Sequence, residues 1–282
     1  MNYLLADIII GVYKNYYKTF PMMAKDFETE YPNHDLYVEV SESDVDKEYV
    51  PELANHPRGY FHSIAIFRHL AEKLPYFDAF LLHSACFDVD GVGVAFAAHS
   101  GTGKTTHMLL WKELLGDRMT IVNGDKPIVR FFDDAADLET KNPVGNLVGD
   151  DAHIVPQDHR QINGIMDEKS TYNQPFAYGT PWNGKEHLGC NMRTPLRHIC
   201  FIERAAENSC EPMTDRSDAV NRIFNQVYMP KDPMAAAKTI GLIDRLMKSC
   251  SLWIIKCNME PSAAEVAYRT IFEKTPDPHG TM

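Results

Sequence analysis

Residues 95–106 read AFAAHSGTGKTT, and no other stretch limits the fold of this chain so sharply. A mostly apolar run leads in, and Ser100–Thr106 then holds two glycines, one lysine and four hydroxyl side chains. Glycines let successive backbone N–H groups converge on an anion, a lysine reaches β and γ phosphates, and a hydroxyl can ligate magnesium. The residues that follow, TTHMLLWKELLG, carry a helical apolar face closed by a glycine, so the loop opens a helix whose N-terminal end favours a bound phosphate. On this reading Ser100, Gly101, Thr102, Gly103, Lys104, Thr105 and Thr106 hold a nucleotide's phosphates. Lys104 is the phosphate lysine and Thr105 the metal hydroxyl. The usual pattern starts with glycine where this chain has Ala98. The plainer alternative is a Gly/Ser/Thr loop that only turns the chain, and the flanking strand and helix weigh against it.

The flanks extend the pattern. AFLLHSACFDVD and VGVAFAA read as strands joined at Asp90-Gly91, a dipeptide suited to a tight hairpin. MTIVN and PIVRFF are strand-like again, and between them stands Asp125, where a P-loop protein needs an acid for magnesium or for the attacking group. A turn aspartate before Lys-Pro is the alternative. Residues 60–74 space Phe61, Ile64, Phe67, Leu70 and Leu74 as an amphipathic helix ended by Pro75, with His62 and His69 expected on its surface. SESDVDKE reads as a solvated loop or face, RHICFIE and SLWIIKC as buried strands, and 217–228, 233–249 and 261–274 as helices. This alternation predicts a single α/β domain over residues 1–274, with its nucleotide-binding core at about 80–132 and a disordered tail at 275–282.

Charge narrows the partners. A net charge of −11 and a pI near 5.5 repel nucleic acid and anionic membranes, so any phosphate must be held by local groups. MNYLLADIIIGVY lacks a basic leader, contains Asp7 and is too short to span a bilayer, so it is expected to be a first strand. The six cysteines form no C-x-x-C pair, which suggests reduced thiols and a cytoplasmic protein.

HSACFDVDGVGVAFAAHSGTGKTT followed by IVNGDKPIV resembles the kinase domain shared by HPr serine kinases and ATP-dependent phosphoenolpyruvate carboxykinases. The family pattern is a histidine opening a β-hairpin, a loop of the S-G-x-G-K-[ST] kind, and two adjacent acids after the next strand. His83, Ser100–Thr105 and Asp125 match it, over about residues 80–132. The resemblance implies a mixed β-sheet P-loop kinase core with a small N-terminal elaboration, ATP and Mg2+ as cofactors, and phosphoryl transfer to a hydroxyl or carboxylate, and the partner expected beside ATP is a hydroxyl or phosphate-bearing acceptor. It implies catalytic roles for Lys104, Asp125 and His83, and Thr105 and Asp125 as metal ligands. Where the family has its first acid this chain has Gly124; Asp150 and Asp151 could supply a base, or form a polar turn.

A second cluster, YGTPWNGKEHLGCNMRTPLRH, contains Trp182, Lys185, Arg193 and Arg197. Similar P-W-x-G-K loops in kinase-like sequences suggest Lys185 as a phosphate contact. The cluster could form a lid, with Trp182 as a wall, Gly179 and Gly184 as hinges and Arg193 on the nucleotide; alternatively Trp182 caps the core. The expected activity is an ATP-dependent kinase acting on a small molecule or a protein side chain, with a homo-oligomer left open. A nucleotide-binding regulatory module with reduced catalysis is the alternative, and a carboxykinase-like enzyme stands behind both because those enzymes are much longer.

Overall fold

The computed structural model describes residues 1–132 and 174–273. Asp150, Asp151 and the tail 275–282 lie outside the described residues. The N-terminal segment expected to be one strand is a hairpin of β1 (Asn2–Leu5) and β2 (Ile8–Tyr13). Its turn residues Ala6 and Asp7 both have positive φ, 53° and 57°. That conformation is normally signalled by Asn or Gly, so the apolar run concealed it. Helix α1 (Thr19–Met23) follows, then β3 (Glu28–Thr29) and β4 (Leu36–Glu39), giving the sheet order β3-β1-β2-β4.

Of the solvated loop or face expected for SESDVDKE, the structure shows the face: it winds into helix α2 (Glu42–Lys47), which buries only Val45. Ser41 and Asp44 form a reciprocal capping box, which satisfies two of the helix's orphan amides. Helix α3 (Arg58–Lys73) begins near the expected residue and buries Phe61, Ala65, Ile66 and Leu70. It also buries His62, contrary to expectation, because the N-terminal module covers that face and sets Tyr17 against it, with ring centroids 5.2 Å apart. His69 stays half-exposed, 3.7 Å from Asp44.

The larger sheet is mixed. Strands β5 (Ala79–Leu81), β6 (Ser84–Val89) and β7 (Val92–Ala97) are followed by helix α4 (Lys104–Leu115), β8 (Met119–Asn123) and β9 (Ile128–Arg130). Asp90 and Gly91 make the β6–β7 turn with φ of 50° and 87°. Strands β10 (Phe176–Tyr178) and β11 (Arg193–Arg204), β12 (Ser209–Pro212), helices α5 (Arg216–Phe224) and α6 (Pro233–Ser249), β13 (Ser251–Cys257) and helix α7 (Pro261–Tyr268) complete it. Strand β6 pairs antiparallel with both β7 and β8, and β11 runs parallel to β7 and to β13. Strands β7, β8 and β11 therefore end at one edge of the sheet, the edge at which β6 begins. The first residues of β11 pair instead with β10, which continues through β9 to β5.

The period of two splits each strand between two cores. Phe87, Val94 and Phe96 face α4 and α7 around the fully buried Trp111, while Ala95, Ala97, Phe80 and Phe131 face α6 at Leu242 and Leu246. Residues 225–228 leave the helix expected over 217–228, and there the Gln226 carbonyl accepts from the His83 amide at 2.7 Å. All six cysteines are free of disulfides. No described helix is long and apolar enough to cross a membrane.

His107 on α4 is 2% exposed, and neither ring nitrogen has a hydrogen-bond partner among the described residues. Burial drives its pKa down to about 4. The unfolded chain therefore binds a proton that the fold refuses between pH 6.5 and 4, so this group's share of stability is complete above that window and is lost as pH falls through it. Between pH 7 and 5 the loss is about 2 kcal/mol. Urea denaturation at both pH values should show that drop reduced by this amount in His107→Phe, and an unchanged drop would refute the assignment.

Candidate functional site

The shared sheet edge gathers the residues singled out by the sequence. Strand β7 ends at Ala97, and the loop beyond it turns on Gly101 and Gly103, whose φ values are 77° and 120°. A Cβ at either glycine would meet no atom within 4 Å, so these glycines serve backbone conformation and not close packing. Lys104 is the first residue of α4 and is 8% exposed. Its Nζ donates to the Ala98 carbonyl at 2.8 Å and stands 3.3 Å from His83 Nε2. Thr105 and Thr106 follow in the first turn of the helix.

His83 precedes β6, so the antiparallel pairing delivers it to the edge where β7 and β8 end. Its Nε2 lies 3.2 Å from Asp125 Oδ1, and the Asp125 carbonyl accepts from the Ser84 amide at 2.9 Å. Asp125 Oδ2 is held by Lys126 Nζ. The turn carrying both residues is built by buried Asn123, whose Oδ1 accepts from the amides of Asp125 (2.9 Å) and Lys126 (2.7 Å) and whose Nδ2 donates to Thr180. Two carbonyls, of Ala98 and His83, face the Gln226 side chain and can only accept, so its amide nitrogen must point at them, 3.2 and 3.1 Å away. The same nitrogen is 3.1 Å from His83 Nδ1, which leaves Nε2 to carry the ring's proton toward Asp125.

Burial by itself would raise the Asp125 pKa. The hydrogen bond from His83 and the charge of Lys126 outweigh it and hold the value at about 2, so the carboxylate is ionised at neutral pH. Burial lowers the pKa of Lys104, and the Asp125 charge opposes that shift.

Gly124 has a steric cause. A Cβ there would come within 2.7 Å of the Asn183 carbonyl oxygen and 3.1 Å of that of Leu188, and the Gly124 amide donates to the Leu188 carbonyl at 2.8 Å. The backbone of residues 183–189 thus fills the space that a second acidic side chain would occupy.

The lid expected from Tyr178 to Arg193 is corrected in three places. Gly179 is no hinge: its amide donates to the Met192 carbonyl, and a Cβ would collide with the Cys190 carbonyl at 1.8 Å. Trp182 is 7% exposed, packs on Phe20 and Phe67, and donates from Nε1 to the Ser63 carbonyl at 3.1 Å. It caps the core. Arg193 enters β11 before Leu196, which pairs with Gly93 at the start of β7, whereas the glycine-rich loop follows Ala97 opposite Phe201. At strand spacing Arg193 is therefore about 25 Å from Phe201, where β7 ends beside β11. It pairs with Asp7 at 2.7 Å, and Tyr178 donates to the same carboxylate at 2.5 Å. Arg193→Met should then destabilise the fold by about 3 kcal/mol, since it removes the hydrogen-bonded cation of a mostly buried Asp7 carboxylate. Nucleotide affinity should not change, and a calorimetric loss of affinity in the folded variant would return Arg193 to the site.

Gly184 does sit in a turn, with φ 87°, and its Cβ position is 3.4 Å from Asp125 Cβ. The exposed Lys185 consequently leaves the chain beside Asp125. Two cations escaped the sequence reading. Lys126 was visible only as half of a Lys-Pro pair, and Arg204, the last residue of β11, donates from Nε to the Thr102 carbonyl at 3.1 Å and from Nη2 to that of Gly101. Its only signal was a charge closing a buried strand.

Compared with known proteins, the chain matches no family model and no curated sequence. The site thus rests on its own chemistry. No group of three or more His, Cys, Asp or Glu side chains suited to a metal gathers among the described residues. The Thr105 hydroxyl and the ionised Asp125 nevertheless fit magnesium, which takes one or two protein oxygens and completes its shell with phosphate and water. Both Asp125 oxygens have partners, His83 on Oδ1 and the Lys126 ammonium on Oδ2, and each retains a lone pair.

Proposed function

We propose that the chain is an ATP-dependent phosphotransferase of the HPr kinase and phosphoenolpyruvate carboxykinase type, acting on a hydroxyl of a small molecule or of a protein. The observation that carries this reading is the sequence of contacts Lys104–His83–Asp125 at the mouth of the glycine-rich loop. It sets a phosphate-binding cation and an ionised carboxylate against the same ring nitrogen, at the end of a strand that leads through the loop into a helix N-terminus. The loop amides and Lys104 hold the β and γ phosphates. His83 and Lys126 hold Asp125 in place beside them.

A hydroxyl oxygen of the acceptor bonds to the γ phosphorus as the bond to the β–γ bridging oxygen breaks, and ADP leaves. Its proton passes to Asp125. A carboxylate of such low pKa takes that proton late, as suits a loose transition state in which the hydroxyl needs orientation more than early deprotonation. Thr105 and Asp125 would hold magnesium, which would supply neutralisation of the phosphate charge. Lys185, exposed and one residue beyond the Gly184 turn that lies against Asp125, would add a further cation for charge that develops during transfer.

One observation favours the second reading, a nucleotide-binding regulatory module with reduced catalysis: backbone excludes a second acid at Gly124. ATP turnover separates them. Incubation with ATP and magnesium, alone and with a fractionated cell extract, should yield ADP together with a phosphorylated product. ATP binding without turnover in any fraction would favour the regulatory module, and no ATP binding would overturn both.

A further inference from the structure

The glycine-rich loop has an unusual weakness. Neither Gly101 nor Gly103 has a neighbour on its side-chain face, and both hold positive φ, so packing does little to fix the backbone between them. A loop of this kind loses backbone freedom when it closes on a ligand, and that loss opposes binding unless something has already ordered the loop. Within the loop itself the Thr102 amide donates to the His99 carbonyl at 3.2 Å, and Lys104 holds the Ala98 carbonyl from the far side.

Arg204 supplies the remaining constraint. Phe201 pairs with Ala97, so three more residues of β11 run past the end of β7 and carry Arg204 out beside the loop. One edge of its guanidinium, Nε and Nη2, takes the carbonyls of two successive peptides, Gly101 and Thr102. Peptides are planar and trans, so a carbonyl fixed on one side turns the N–H of the next residue to the other. Holding these two carbonyls outward therefore turns both following amides away from Arg204: the Thr102 amide onto the His99 carbonyl, and the Gly103 amide toward the concave side of the loop at the N-terminus of α4. A lysine cannot reproduce this, because one ammonium on a flexible stem lacks the fixed fork that spans two carbonyls.

We propose that Arg204 is a positioning residue that orders the glycine-rich loop before the nucleotide arrives, acting on the carbonyls of Gly101 and Thr102 and not on the phosphates. The expected consequence for nucleotides rests on the phosphotransferase reading; the ordering of the loop does not. Because Arg204 acts on the ground state of the loop, ADP and ATP benefit equally, and so do substrate and transition state.

The test uses the full chain as wild type, Arg204→Ala and Arg204→Lys; the side chain is exposed, so both variants should fold. In nucleotide-free protein, backbone 15N order parameters at Gly101, Thr102 and Gly103 should be near 0.85 in wild type and fall below about 0.6 in both variants. ADP and ATP affinities by calorimetry should fall together by about tenfold, the size set by ordering one residue's backbone, with KM rising and kcat nearly unchanged. Unchanged order parameters would overturn the proposal. So would a loss confined to ATP, which would make Arg204 a γ-phosphate contact, or full recovery by lysine, which would make its charge alone sufficient. If wild type bound neither nucleotide, the phosphotransferase reading would fail, and the order parameters alone would still decide whether Arg204 orders the loop.

Discussion

Asp125→Asn is expected to fold normally and to lose ATP turnover by about a thousandfold, within the range for removing a positioned proton acceptor. The amide is nearly the same size as the carboxylate, and its oxygen can still accept from His83, which stands 3.2 Å from Oδ1. The backbone of the turn is held independently, by Asn123 on the amides of residues 125 and 126 and by Ser84 on the Asp125 carbonyl. What disappears is the negative charge that, in the proposed function, would receive the acceptor's proton and ligate magnesium. The effect should therefore fall on kcat and kcat/KM together, with ADP affinity in the absence of magnesium little altered. Steady-state rates with coupled ADP detection would check this. Turnover equal to wild type would move the catalytic acid elsewhere in the chain.

Lys104→Ala is expected to weaken ATP binding by about a hundredfold, the value of a charge-assisted contact in a desolvated site. The lysine is 8% exposed and donates to the Ala98 carbonyl, and Gln226 also faces that carbonyl, so truncation does not leave it without a donor. Loss of a partly desolvated ammonium should leave thermal stability close to wild type, which separates a binding defect from a folding one. Equal ATP affinity in wild type and variant, measured calorimetrically with magnesium, would remove the glycine-rich loop from the nucleotide site and the proposed function with it.

Most of the local structure was legible in the sequence because its causes are local. Asp90-Gly91 specified a hairpin through positive φ at both positions, and SLWIIKC is strand β13 residue for residue. Short apolar runs marked β6, β7 and β8, and a glycine before Lys104 marked where α4 begins. Where local signals were missing, the reading slipped. Ala6 and Asp7 turn without a glycine, so a hairpin read as one strand. The capping box of Ser41 and Asp44 made a helix from a stretch whose charge suggested only solvent.

The sequence by itself determined that a strand feeds a glycine-rich turn and a helix, because φ preference, side-chain period and turn chemistry act over a few neighbouring residues. The tertiary structure decided everything that depends on which strands lie side by side. Antiparallel pairing of β6 with β7 and β8 brought His83, Lys104 and Asp125 together, residues far apart in the chain. The register of β11 carried Arg204 to the loop and took Arg193 to the opposite end, against Asp7. Packing of 183–189 on the turn after β8 explained Gly124 and set Gly184 against Asp125, while the N-terminal module drew Trp182 and His62 into its core. Such contacts arise when separate segments bury one another's apolar faces, and no window of neighbouring residues carries the identity of its eventual partner.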